Sequence, residues 1–178
     1  MEIKTLIILS FIVSKVFSLN AFLPECKGLD YKQYKNCKGF SKNEDFTEYV
    51  KKKFGDKFGS HVWTRDYNGA FGNKPGKYKG KGTVINYRDG ELYSTYTGGF
   101  LDSELHGKGV YIWPTGGHYS GQFKNGYYHG KGKEVWPDGS IYIGQYQNSM
   151  KHGKGIYIYP DGTKKKVIFK NDKLHKSS

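Results

Sequence analysis

The second half of the chain alternates apolar and polar positions with a period of two, the pattern of a β-strand with one covered face. In one segment, Tyr119 and Gly121 fall on one face of a strand. Gly132, Glu134 and Trp136 share a face of the next strand. Because the two strands are short and close together in the chain, the pattern predicts a β-hairpin.

This hairpin pattern repeats at a fixed step of 23 residues. Three copies align without a gap, beginning at Tyr96, Tyr119 and Tyr142. A fourth copy, which includes Phe169, breaks off at the end of the chain, and a looser copy with longer turns begins at Tyr67. A single hairpin is barely stable in water, so neighbouring hairpins must cover its aromatic face. The sequence therefore predicts an all-β fold, a stack of antiparallel β-hairpins.

The repeats set the domain boundaries. Residues 67–162 are the predicted repeat domain, and residues 163–178 are a truncated repeat with a basic tail. Residues 137–139 and 160–162, both Pro-Asp-Gly, predict turns, since proline presets φ and glycine accepts a positive φ. Asn125-Gly126 and the recurring His-Gly-Lys-Gly are predicted to be turns as well.

Residues 19–66 precede the repeats and form a predicted capping segment. Ser41 and Glu44 have the spacing of a helix capping box, and the apolar residues that follow have helical spacing. This predicts one short amphipathic helix from about Asn43 to Phe54. Repeat stacks need covered ends, so we expect this segment to cap the sheet edge of the first hairpin.

Residues 1–18 have the pattern of a signal peptide, with Lys4 before an apolar run and Ser18 at a small-residue cleavage position. The run is shorter than the roughly 20 residues that a membrane span needs. Cys26 and Cys37 follow the cleavage position, and an oxidising compartment would join them in a disulfide. The chain is therefore predicted to be secreted or in the secretory pathway; without that signal, the cysteines would be free thiols.

The recurring Tyr-x-Gly-x-Phe/Tyr…His-Gly-x-Gly motif with its 23-residue period closely resembles the MORN repeat (membrane occupation and recognition nexus). The resemblance is strong over residues 96–162 and weaker over residues 67–95. It implies an elongated, twisted antiparallel sheet with a grooved, aromatic-lined face. It also implies protein scaffolding, homodimerisation or binding to acidic phospholipids.

The formal net charge is +13, and the excess is densest at the C-terminus. Lysines there could contact an anionic membrane or an acidic partner, or could simply form a solvated tail. The candidate lipid-binding residues are Lys164, Lys165, Lys166 and Lys170.

The sequence offers no catalytic, metal or cofactor site. Histidines recur at the same place in each repeat: His106, His129, His152 and His175. Equivalent positions are two strand spacings, about 10 Å, apart, too far to share a zinc ion, so a structural turn role is expected. The Gly-x-Gly segments lack the Ser or Thr and the helix of a phosphate-binding loop. No enzymatic activity, metal or cofactor is predicted.

The aromatic face is the better functional candidate. Five aromatic residues from equivalent strands are predicted to form a stripe: Tyr111, Trp113, Trp136, Tyr157 and Tyr159. Part of the stripe must be core, and self-association would bury all of it. Otherwise it forms a groove that receives a peptide or helix of another protein. Alternating basic and aromatic residues also suit nucleic acid, but a secretory signal argues against that partner, and none is predicted.

Overall fold

The computed structural model describes residues 32, 38–45, 47, 52, 63–71, 73–74 and 77–177. The predicted signal peptide, Cys26 and Cys37 lie outside these residues. The chain divides into two compact units, at residues 1–97 and 98–178. Among the described residues, no helix is long and apolar enough to cross a membrane.

Both units are built from antiparallel strands that hydrogen-bond in chain order, which confirms the predicted all-β hairpin stack. The first four strands are β1 (Lys38–Asp45), β2 (Trp63–Phe71), β3 (Tyr78–Arg88) and β4 (Glu91–Leu101), of which β4 continues into the second unit. The following strands are β5 (Glu104–Ile112), β6 (His118–Lys124), β7 (Tyr127–Val135), β8 (Ile141–Gln147), β9 (Met150–Ile158), β10 (Lys164–Lys170) and β11 (Lys173–Ser177).

The proposed capping box is wrong. Ser41 pairs with Tyr67 and Glu44 pairs with Arg65, so both residues lie in β1. Their backbone groups are engaged in a β-ladder and cannot begin a helix. The predicted helix therefore cannot begin at Asn43, which also lies in β1.

Asp45, the last residue of β1, has the hydrogen bond expected of a helix N-cap. Its Oδ1 accepts a hydrogen bond from the backbone N–H of Thr47 at 2.9 Å, and Thr47 has a helical backbone. This bond lowers the pKa of the Asp45 carboxyl. Most of the predicted helix after Thr47, including Phe54, lies outside the described residues.

The turns within hairpins need positive φ at two consecutive residues. At Asn125-Gly126 the φ values are 52° and 80°, and at Asn148-Ser149 they are 51° and 65°. These are the dihedral signs of a type I′ turn, whose twist matches that of the strands it joins. The predicted turn at Asn125-Gly126 is confirmed. The Pro-Asp-Gly joint between hairpins is confirmed as well, since Gly139 has φ of 86° and its N–H donates to the carbonyl of Trp136.

The His-Gly-Lys-Gly segments were predicted as turns, and that prediction is wrong. They lie inside β5, β7 and β9. The glycine after each histidine has a positive φ, 60° at Gly130, and the register between β6 and β7 shifts at this point. A glycine in this conformation accommodates a β-bulge, so the strand continues where a turn was expected.

The core consists mainly of tyrosine and phenylalanine. In the first unit, the rings of Tyr67 and Tyr78 stack with centroids 3.6 Å apart. In the second unit, Tyr119 and Tyr142 are fully buried. Buried Phe123 and Tyr146 each pack edge-on against Tyr119, with ring centroids 5.2 and 5.1 Å away. An aromatic layer on one face of the sheet thus takes the place of an aliphatic core.

Candidate functional site: the aromatic face of the repeats

Glycine pairs across neighbouring strands allow each core tyrosine to lie flat on the sheet. Gly121 pairs with Gly132, and the Tyr119 ring covers both. A Cβ atom at Gly121 would lie 2.7 Å from Cζ of Tyr119, inside contact distance. Tyr142 covers Gly144 and Gly155 in the same way. A side chain at any of these four glycines would therefore collide with a tyrosine ring.

The tyrosine hydroxyl compensates for the β-bulge. The register shift after Gly121 removes ladder partners, and the Tyr119 O–H donates to the backbone carbonyl of Gln122 at 3.0 Å. The Gln122 side chain accepts the backbone N–H of Lys131 at 2.8 Å. The repeat that begins at Tyr119 therefore satisfies the backbone groups that its bulge frees, which buried backbone requires. Burial raises the pKa of Tyr119 well above its usual value, so the hydroxyl stays protonated and donates.

The structure brings the five predicted aromatic residues to the face that carries the tyrosine core. The register pairs Tyr111 with Tyr119 and Tyr157 with Tyr142, which places them on one face. Tyr111 and Trp113 are partly exposed, with ring centroids 5.3 Å apart.

The other three rings form a second contact series. Trp136 stacks on Tyr157 at 5.7 Å, and Tyr157 contacts Tyr159 at 4.9 Å. Tyr159 is 38% exposed, the most open of the five. The structure thus groups Trp136, Tyr157 and Tyr159 as one partly exposed cluster, which we call the aromatic ledge.

Tyr128 was not predicted as a site residue. Its ring stacks on Tyr119 at 3.8 Å, with 5° between the ring planes, and also contacts Tyr111 and Trp113 edge-on at 6.4 and 6.5 Å. Its position follows Asn125-Gly126 in the chain, and the corresponding residues of the neighbouring repeats are Leu105 and Lys151. Because this position varies between repeats, the repeat pattern gave no signal for it.

Glu134 and Lys151 place charges on the aromatic face and were also not predicted. Glu134 occupies the position that Tyr111 and Tyr157 hold in the adjacent repeats. Its Oε2 accepts the Tyr146 O–H at 2.9 Å and lies 3.8 Å from Nζ of Lys151. Burial raises the pKa of the Glu134 carboxyl above its ordinary value, although Tyr146 and Lys151 partly oppose this.

Lys151 lies among three aromatic rings. Its Nζ is 4.8 Å from the ring centroid of Trp136, 5.7 Å from that of Tyr142 and 5.9 Å from that of Phe169. These distances are within the range of cation–π attraction. Lys151 therefore closes the aromatic surface between the ledge and β10 and adds a cation to it.

The recurring histidines lie in strands, so the predicted turn role is wrong. His152 contacts the side chain of Asn171 through Nδ1 at 3.1 Å. Nδ1 of His106 and Nδ1 of His129 are buried and have no partner in the described part of the chain. Within that part, no three His, Cys, Asp or Glu side chains come close enough together to hold a metal ion.

The predicted lipid-binding lysines do not form a free tail. Lys164, Lys165, Lys166 and Lys170 lie in β10, which pairs with β9 along its length. All four are exposed. Lys165 pairs with Tyr157 and therefore belongs to the aromatic face, where its Nζ lies 5.4 Å from the Tyr159 ring. Lys164 and Lys166 alternate with it and lie on the opposite face.

A 23-residue hairpin with a covered glycine pair, repeated in consecutive copies, defines a β-hairpin repeat protein. The model of the MORN repeat family matches residues 96–118, 119–141 and 142–164. Residues 96–164 of the chain are thus three consecutive MORN repeats. No match was found among curated proteins.

Proposed function

We propose that this chain is a non-catalytic scaffold or adaptor of the secretory pathway, which binds another protein through the aromatic-lined face of its MORN repeats. The observation that supports this most is the aromatic ledge of Trp136, Tyr157 and Tyr159, partly exposed beside a fully buried tyrosine layer. Trp and Tyr are the residues on which binding energy at protein interfaces most often concentrates.

The ledge is preorganised. Tyr157 pairs with fully buried Tyr142 and packs between Trp136 and Tyr159, so neighbouring rings restrict its side chain. Little side-chain freedom remains to be lost when a partner docks, which favours affinity. Glu134 and Lys151 add one acid and one base to this face. These charges would favour one orientation of an apolar partner segment over the reverse orientation.

The binding function is tested by quantitative affinity capture from the cells that make the protein. A Trp136→Ala/Tyr157→Ala variant should lose its specific partner, since removing two interface aromatics typically costs more than about 2 kcal/mol. The matched control is Leu92→Ala/Leu101→Ala, which truncates two exposed side chains of β4. Equal recovery of partners with both variants would refute the aromatic face as the binding surface.

The aromatic face could instead bind a second copy of the chain, and a measurement of the oligomeric state distinguishes this case. Sedimentation velocity of the purified chain would then show a dimer. The Trp136→Ala/Tyr157→Ala variant would convert it to a monomer, whereas the Leu92→Ala/Leu101→Ala variant would not.

Peripheral binding to an anionic membrane is a second candidate, favoured by the exposure of Lys164, Lys165, Lys166 and Lys170 along β10. Each lysine near an anionic surface contributes about 1 kcal/mol. Reversing Lys164, Lys165 and Lys166 to Glu should therefore abolish flotation with phosphatidylserine vesicles. Unchanged flotation would remove these residues from any membrane contact.

A further inference from the structure

The face opposite the aromatic ledge has its own charge pattern. Strands β6 to β11 contain one carboxylate among their described residues, that of Glu134, and it lies on the aromatic face. The opposite face of β6 to β11 therefore has no acidic side chain, while lysines recur along it. The preceding strand, β5, contains Glu104, four residues before Lys108. The remaining carboxylates of the three repeats after β5 lie in turns, as at Asp138 and Asp161.

Three lysines of this face form a row across the strands, which we call the lysine stripe: Lys108, Lys131 and Lys154. They occupy equivalent positions in β5, β7 and β9, and all three are exposed. Two strand spacings separate neighbouring members, a distance of about 10 Å. Lys108 lies opposite Gln122 and Lys131 lies opposite Gln145, whereas Lys154 lies opposite Ile168.

An aliphatic band runs beside the lysine stripe on the same face. Ile141 pairs with Val135 and Ile158, and Ile143 pairs with Ile156. Ile143 is 44% exposed and Ile156 is 39% exposed. The band consists of Ile112, Val135, Ile141, Ile143, Ile156 and Ile158.

His118 continues the band without adding a charge at neutral pH. It pairs with Ile112 on one side and Val135 on the other. Burial, reinforced by the positive charge of Lys133, lowers the pKa of His118 below its ordinary value. The imidazole therefore stays neutral at pH 7, and the apolar band is continuous.

From these two parallel rows we infer that the lysine–isoleucine face is a docking surface for an acidic amphipathic α-helix of a partner protein, lying across strands β5 to β10. Seven residues of an α-helix rise about 10.5 Å, close to the spacing of the lysine stripe. Carboxylates seven residues apart on such a helix would each meet one lysine. The next face of the helix would then cover the aliphatic band, which begins two residues after the stripe in β9 and four residues after it in β5 and β7.

The geometry disfavours other occupants. An extended peptide covers about 10 Å in three residues, but its alternating side chains would turn every second carboxylate away from the sheet. A second copy of the same face would place lysine against lysine. An anionic bilayer is attracted by the lysines, but the apolar side chains of this face are aliphatic groups level with a sheet rather than the protruding Trp, Phe and Leu of membrane-inserting segments.

The test uses the full chain and two fluorescent synthetic peptides of about 21 residues. The first is a helix with Glu at every seventh position and Leu on the adjacent face. The second has the same composition with its Glu residues distributed around the helix. Fluorescence anisotropy should show binding of the first peptide at least tenfold tighter than of the second.

The variant Lys108→Glu/Lys131→Glu/Lys154→Glu should weaken binding of the first peptide about tenfold or more, because three attractions become repulsions. The matched control, Lys52→Glu/Lys77→Glu/Lys79→Glu, reverses three exposed lysines of the other unit and has the same net charge. It should bind within about twofold of wild type if local contacts, rather than net charge, decide affinity. Circular dichroism confirms that both variants keep their fold.

Equal affinity for the two peptides, or equal loss in the two lysine variants, would overturn the inference, because attraction would then depend on net charge alone. Binding of phosphatidylserine vesicles through the lysine stripe, without binding of the first peptide, would assign the face to a membrane and would also overturn it. The aromatic ledge lies on the other face, so failure here leaves the proposed function untouched.

Discussion

At the scale of single residues, glycine is the critical component of the sheet. The rings of Tyr119 and Tyr142 occupy the space that a side chain at Gly121 or Gly144 would need. Val at either position should lower Tm clearly, because overpacking a tight contact costs about 1–3 kcal/mol. Thermal unfolding of Gly144→Val, Gly121→Val and His152→Ala should show the smallest effect for the histidine variant.

A double variant tests whether the tyrosine ring causes the loss of stability in Gly144→Val. If the Tyr142 ring is what a side chain at residue 144 strikes, Tyr142→Ala and Gly144→Val should be strongly non-additive, because the first substitution removes the obstacle of the second. Additive losses, or a larger effect from His152→Ala than from Gly144→Val, would contradict the packing role of the glycines.

Glu134 makes the stability of the protein depend on pH in a specific direction. Because burial raises its pKa in the folded chain, the neutral carboxyl is favoured there. The stability that this preference contributes is present below the unfolded pKa and is lost as pH rises through the folded pKa. Glu134→Gln removes the titration and keeps an oxygen that accepts the Tyr146 O–H.

The difference in Tm between Glu134→Gln and wild type should therefore move in favour of the Gln variant as pH rises from about 4 to 7. Acidic groups elsewhere titrate equally in both proteins and cancel from the comparison. A difference that moves towards wild type would show that the ion pair with Lys151 outweighs burial.

At the scale of elements, the last three hairpin turns are each hydrogen-bonded to the repeat before them. The N–H of the second turn residue donates to a backbone carbonyl 21 residues earlier, from Ser149 to Tyr128 and from Asp172 to Lys151, both at 2.9 Å. The side chain of the same residue returns a bond, since Asp172 Oδ1 accepts the Lys151 N–H at 2.7 Å. These reciprocal bonds join consecutive hairpins independently of the aromatic layer.

Substitutions at Asp172 separate this bond from backbone strain. Asp172 has φ of 62°, a conformation that costs an ordinary L-residue about 1–2 kcal/mol. Asp172→Ala loses the hydrogen bond and retains the strain, whereas Asp172→Gly loses only the bond. Urea unfolding should therefore rank wild type above Asp172→Gly and Asp172→Gly above Asp172→Ala, with Asp172→Asn near wild type. Equal stability of the Ala and Gly variants would show that the turn is unstrained.

At the scale of the whole molecule, the predicted export pathway can be tested at the N-terminus. Cleavage of residues 1–18 would give a mature chain that begins near Leu19, and oxidation would join Cys26 to Cys37. Mass spectrometry of the protein from its own cells should find this N-terminus and a mass increase of two hydrogens on reduction. A chain that retains Met1 and has two thiols that label without reductant would place the protein outside the secretory pathway.

Net charge is also a property of the whole molecule, and it is unevenly distributed between the two faces of the repeats. The chain has a formal charge of +13, and the carboxylate-free face of β6 to β11 concentrates part of it. The aromatic face has a partly buried acid and a lysine that lies among aromatic rings. The two faces therefore differ in their charge and in the kind of apolar side chain they expose.

Several features could be predicted from the sequence because their causes are local. The alternation of apolar and polar side chains predicted the strands. Asn125-Gly126 and Pro137-Asp138-Gly139 predicted turns, and the fixed step of 23 residues predicted the repeat. The predicted aromatic residues do share a face, as period-two reasoning requires. The position of the histidines was mistaken because His-Gly-Lys-Gly has the composition of a turn, and nothing local distinguishes a turn from a glycine bulge.

The sequence by itself thus determined the all-β hairpin repeat and the residues that line each face, because both follow from a period of two and from turn chemistry. Only the tertiary structure decided which aromatics are core and which form the ledge, since burial depends on the neighbouring hairpin. It also decided that Glu134 meets Lys151 and that Lys108, Lys131 and Lys154 form one row. Those residues are far apart in the chain, and strand register alone brings them together.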